Sequence, residues 1–179
     1  MQLKPAVLHR DFYLKLFWVG VATFAVHEFS HWITGTVLGY DMVITPNRVY
    51  STSPTSYVHK QLITSAGPSI TYVQAFIGYL LVKNRQSLLG YAMVYMAFFM
   101  RLIAAMISTF NPNDEARISQ DLGIGLWTLP AIAVALLFGL VYFASRRLKL
   151  TVRDQFFCYL IASVVVAIVV GTDMLFFMG

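Results

Sequence analysis

Charge is what this sequence has least of. Only 12% of its 179 residues are charged, against 58% hydrophobic ones, and its mean hydropathy is +0.68. A soluble domain carries about 25% charged and about 45–50% apolar residues. So few charges cannot cover a water-facing surface, and an integral membrane protein is expected. Thirteen Lys and Arg against eight Asp and Glu give a net charge of +5. The basic residues sit at the ends of apolar segments rather than in one patch, as orientation signals do, so no nucleic-acid partner is expected. Cysteine is reduced to Cys158, which excludes an intrachain disulfide and a CxxC metal site. Histidine is limited to four residues. That is too few for a di-iron lipid desaturase or hydroxylase.

What is present is long apolar runs. Crossing the hydrocarbon takes about 20 mostly apolar helical residues. Five segments qualify, at roughly 12–38, 61–82, 87–110, 124–145 and 154–178. They predict an all-α membrane protein, a polytopic bundle of about five transmembrane helices forming a single domain over residues 1–179. Pro68 is expected in the first turn of the second span, where proline is tolerated. The opening, basic and then apolar, is like a signal sequence, but no A-x-A-like cleavage site follows, and a retained anchor is expected. Lys4, Arg10, Lys15, Lys83, Arg85, Arg146, Arg147, Lys149 and Arg153 fall on one side of such a bundle, and Arg48, Lys60 and Arg117 on the other. Because Lys and Arg favour the cytoplasmic side, the N-terminus is expected inside. Between the first two spans, "MVI" and "RVY" flank the turn-forming "TPN". Either a short hairpin against the membrane face or an irregular polar loop satisfies these residues.

The run "FAVHEFSHWITG" places His27, Glu28 and His31 inside the first apolar segment. An ionisable group at bilayer depth costs roughly 2.5–3.5 kcal/mol on insertion scales, so three within five residues point to function. Histidines four apart on a helix point about 40° from each other and can hold one metal ion. Glu28 is offset by about 100° from His27, outside their direct line but near enough to handle water. This is the H-E-x-x-H pattern, in which two imidazoles bind zinc and the glutamate is general base.

Catalytic zinc normally takes three protein ligands. His9 lies at the opposite end of the first span and His59 at its water boundary. Asp114, in the polar "NPND" insertion after the third span, is the better third ligand. Glu115, Asp173 or a plain capped loop are the alternatives. Arg101 is a further charge within a span, able to pair with Asp173 or a site carboxylate, to contact substrate, or to snorkel. Gly35 and Gly39 form G-x-x-x-G, which favours close helix approach.

In order, HEFSH in an early span, "SAGPS" at the start of the next, and an Asn/Pro/Asp motif after another resemble the site-2 protease family of intramembrane zinc metalloproteases. The resemblance covers roughly residues 20–123. It implies one Zn²⁺ per chain on His27, His31 and Asp114, Glu28 as catalytic base, and Asn111 or Asn113 near the scissile carbonyl. It likewise implies that segment 42–50 is a membrane-associated β element, able to add an extended substrate as a strand. "NDEA" stands where L-D-G is usual in the family, and Thr71 stands about where an asparagine is usual. The expected activity is hydrolysis of a peptide bond in or next to a transmembrane segment of a membrane-protein substrate. A non-catalytic metal-binding membrane module is the alternative. On the charge count, the motif-bearing ends of the spans face the non-cytoplasmic side. The sequence does not set an oligomeric state.

Overall fold

The structure, a computed structural model, describes residues 8–177. Lys4, counted above among the cytoplasmic cations, and residue 178 of the last expected span lie outside the described residues. Six helices and one hairpin follow in the order α1 (Arg10–Val37), β1 (Met42–Thr45), β2 (Arg48–Ser51), α2 (Tyr57–Arg85), α3 (Leu88–Ile107), α4 (Asp114–Asp121), α5 (Thr128–Leu148) and α6 (Val152–Phe177).

The helix ends follow from local chemistry. Ser56 accepts from the His59 N–H to start α2, and Ser87 from the Gly90 N–H to start α3. Thr151 and Asp154 bond reciprocally through side chain and backbone as a capping box for α6. Lys83 and Arg85 in the last turn of α2, and Arg146 and Arg147 in that of α5, lie where a helix dipole favours cations. Gln86 and Lys149 take left-handed backbone just beyond those turns and stop the two helices.

Among the described residues three helices, α3, α5 and α6, are long and apolar enough to cross a membrane. That is fewer than the five expected. The other two fall short in composition, not length: α1 has 28 residues and α2 has 29. In α1 the apolar run is broken by the same His27, Glu28 and His31 that mark the site. In α2 it is broken by Ser, Thr, Gln, Gly and Pro68. Proline stands well inside α2, not in its first turn as expected, because the helix begins at Tyr57. It has no N–H to give to the carbonyl four residues back.

Helix α3 forms the middle of the bundle, packed by α1, α2, α5 and α6. Of its apolar window 61% is buried, against 28% in α5 and 22% in α6. Tyr91, Val94, Met96 and Phe99 of α3 fill the core with Leu16 of α1 and Val165 of α6. The outward faces of α5 and α6 stay apolar, with Leu136, Phe138, Phe143, Val164 and Ile168 exposed. Such faces suit hydrocarbon rather than water.

The hairpin is present, antiparallel, with Thr45 opposite Arg48 across a two-residue turn of Pro46 and Asn47. It lies on α1, where Trp32 donates to the Met42 carbonyl at 3.3 Å. A Cβ at Gly35 would strike the Met42 side chain. The expected helix–helix use of Gly35 and Gly39 therefore does not hold. Gly35 receives the hairpin, and Gly39 lies beyond α1 with φ +87°.

Candidate metal centre

Three elements converge on one point. α1 supplies His27 and His31, one turn apart on its buried face. α4 supplies Asp114 from its first position, and α2 supplies the wall behind them. α4 exists because Asn113 caps it, accepting from the Ala116 N–H at 2.9 Å, with Asp114 and Glu115 in the first turn.

The Nε2 atoms of His27 and His31 are 3.1 Å apart, and Asp114 Oδ2 lies 3.1 Å from the first and 3.4 Å from the second. Ligand atoms about 2.0–2.2 Å from a tetrahedral zinc stand roughly 3.3–3.6 Å from one another. The three side chains are thus spaced as a ligand set, and together they could hold a metal ion.

Protonation supports the same conclusion. His31 Nδ1 faces the Ile63 carbonyl at 2.6 Å, and a carbonyl can only accept. The proton therefore sits on Nδ1. Thr71 gives its hydroxyl hydrogen to the Gly67 carbonyl at 3.0 Å, so its oxygen accepts from His27 Nδ1 at 3.1 Å. In the neutral rings both Nε2 lone pairs are then left facing each other and a carboxylate oxygen. Three acceptors gathered in this way suit a cation, and the one already beside them is the Arg101 guanidinium, 3.4 Å from His27 Nε2 and 3.6 Å from Asp114 Oδ2. Outer partners such as Thr71 and Ile63 are what orient metal-binding imidazoles.

Asp114 Oδ2 also faces Arg101 Nη1 at 3.6 Å. Arg117 adds a contact to Asp114 Oδ1 at 3.6 Å.

The glycine of SAGPS has a clear role here. A Cβ on Gly67 would lie 2.5 Å from His27 Cε1, and closer still to His31 Nε2. Only glycine lets α2 pass this close behind the imidazoles.

No protein family, curated protein or solved structure compared with this chain matches it.

The other candidate residues separate cleanly once placed. His9 precedes α1 at its far end, and His59 bonds the Tyr40 hydroxyl at 2.8 Å; neither belongs to the cluster. Glu115, an alternative ligand, is held by Arg101, by the Tyr72 hydroxyl at 2.9 Å and by Asn113 Nδ2 at 3.1 Å. Asp173, the other alternative, pairs with Arg48 Nε at 2.9 Å. Arg101 thus pairs with a site carboxylate and not with Asp173. Asn113 spends its side chain on the α4 cap and on Glu115. Asn111 is exposed, and among the described residues no contact joins its side chain to the three ligand atoms.

Glu28 is buried, with 6% of its surface exposed. Its carboxylate is within electrostatic reach of His31, Asp114, Arg101 and Asp173. It is the one charged residue lining a cavity of about 500 Å³ between α1, the hairpin and α6, whose walls include Phe24, Phe29, Ile44 and Val169. The site thus combines a His–His–Asp group that could hold a metal ion with a carboxylate, next to His27 on α1, that lines an apolar cleft. Sequence reasoning misses two contributors. Ile63 enters through its backbone, which leaves no residue-type signal. Thr71 stands near an expected asparagine, but its residue type does not announce the bond to His27.

Proposed function

We propose that this protein is an intramembrane zinc metalloprotease of site-2 protease type, hydrolysing a peptide bond in or next to a membrane-spanning segment. The observation that carries the reading is the buried His27–His31–Asp114 triad, its imidazole tautomers set for a metal, with Glu28 opening onto an apolar cleft. Zinc bound there would supply a Lewis acid and lower the pKa of water from 15.7 to about 7. His27, His31 and Asp114 hold it. Thr71 and Ile63 keep the imidazoles turned. Glu28 takes a proton from the attacking water and delivers it to the leaving amine.

The cleft suits an extended apolar peptide. β1 contributes Ile44 and Thr45 to its wall, and β2 pairs with one edge of β1 only. A locally unwound substrate strand added to the free edge would have its backbone groups paired and its scissile bond near Glu28.

On this reading α1 and α2 cross the membrane with the three apolar helices, since at about 1.5 Å per residue each spans roughly 40 Å. Lys83, Arg85, Arg146, Arg147 and Arg153 gather at the end of the bundle away from the triad, which favours a cytoplasmic N-terminus and a site in the non-cytoplasmic half.

The test is metal content of the purified protein together with cleavage of membrane-spanning substrates by wild type and Glu28→Gln. Bound metal without Glu28-dependent cleavage would leave a non-catalytic metal-binding module.

A further inference from the structure

We propose that Arg101 is an anion-binding residue of the metal centre, its Nη2–H being the donor for an anionic or carbonyl oxygen seated beside His27, His31 and Asp114. This rests on the metal reading above and deepens it. Arg101 is 3% exposed, on α3 in the middle of the bundle. Its Nη1 donates to both Glu115 oxygens, at 3.3 and 3.2 Å. Glu115 is itself fixed by Tyr72 and Asn113. The guanidinium is therefore clamped on one side and cannot swing away.

Both terminal nitrogens also reach the triad, Nη1 lying 3.6 Å from Asp114 Oδ2. Nη2 has one acceptor, His27 Nε2 at 3.4 Å, and Nε has none. A neutral imidazole with its proton on Nδ1 offers a single lone pair at Nε2. A cation held by the triad occupies that lone pair. Nη2 is then a buried, charged donor aimed at the ligand cluster with nothing to donate to, an arrangement that native proteins avoid. An anionic or carbonyl oxygen seated beside the triad would give it an acceptor. During acyl hydrolysis an attacking water oxygen bonds to the carbonyl carbon as its proton passes to the Glu28 carboxylate, and the C=O π pair moves onto the carbonyl oxygen. A fixed cation at that oxygen stabilises the charge as it develops.

Azide binding to the Co²⁺-loaded, full-length protein, followed by visible absorption, tests this without any substrate. Arg101→Gln alone would strand the buried Glu115 charge, so it is combined with Glu115→Gln, and Arg101→Lys is measured beside it. The double variant is expected to keep about one Co²⁺ per chain. Its azide affinity should fall at least ~10-fold, as befits one lost hydrogen bond from a charged donor. The lysine variant, which keeps the charge, should lie between. Unchanged azide affinity in the double variant overturns the proposal, as does loss of Co²⁺ from both variants, which would make Arg101 a support for Asp114. A wild type that loads no Co²⁺ overturns it together with the metal reading. Arg101-dependent azide binding by a protein that cleaves no peptide would sink the protease reading and leave this one standing.

Discussion

His27 Nδ1 donates to the Thr71 hydroxyl at 3.1 Å, joining two helices across 44 residues of sequence. That single bond decides which imidazole nitrogen faces Asp114. Because Thr71 sends its own hydrogen to the Gly67 carbonyl, it can only accept from the ring.

Thr71→Val keeps the volume of the side chain but removes this acceptor. Outer-shell losses of this kind cost about 10–100-fold in metal affinity. Chelator competition on the purified variant should show a drop of that order with the helical signal unchanged. Wild-type affinity in Thr71→Val would mean that the tautomer is set some other way.

Gly67→Ala should be more severe. The added methyl has no room behind the imidazoles, so His27 and His31 must move out of register with Asp114. Gly139→Ala in α5 is the control, since a Cβ there meets nothing within 4 Å. Replacing a mid-helix glycine in open space usually stabilises by about 0.5–1 kcal/mol. Metal stoichiometry should therefore collapse in the first variant and stay near one per chain in the second. Equal loading of both would remove the steric account of the SAGPS glycine.

Much of this is legible in the sequence, and the reasons differ by element. His27 and His31 stand out because polar residues at helical spacing are conspicuous in an apolar run. The hairpin at 42–51 follows from a turn tripeptide between β-branched residues, though a loop fits those residues equally well. Helix α4 is not anticipated. Its eight residues are polar except Ala116 and Ile118, and the available signal is the Asn113 cap followed by two acidic residues. The partner of Asp173 is equally hidden, since Arg48 reaches it across 125 residues of sequence, whereas Arg101 pairs with a site carboxylate, one of the partners its place in a span offers. Helices α1 and α2 fall short of a spanning hydropathy for a physical reason: the polar residues that build the site dilute their apolar runs.

Orientation has a direct test. Ser53, between β2 and α2, and Arg85, at the end of α2, are both exposed and lie at opposite ends of that helix. Single cysteines there can be labelled without interference, because the native Cys158 is buried. With a cytoplasmic N-terminus, an impermeant thiol reagent added to intact cells should label Ser53→Cys and spare Arg85→Cys. The reverse pattern would invert the topology and place the triad in the cytoplasmic half.

Glu28 carries the enzymatic proposal. It is one residue from His27, buried, and lines the cleft without belonging to the group of three ligand atoms. Among the described residues no hydrogen bond holds its carboxylate, which leaves it free to take and return a proton. Glu28→Gln keeps the size and polarity of the side chain but cannot accept that proton. General acid–base catalysis contributes about 10²–10⁴-fold, so cleavage of a membrane-spanning substrate should fall by at least that factor. Metal content should stay near one per chain, because His27, His31 and Asp114 are untouched. Removing an ionisable group from the interior of a membrane bundle should leave thermal stability equal or slightly higher. Metal loss with unfolding would make Glu28 structural, and retained metal with full cleavage would assign the base to another residue. A stable, metal-loaded and inactive variant is the one outcome that fits a catalytic base at this position.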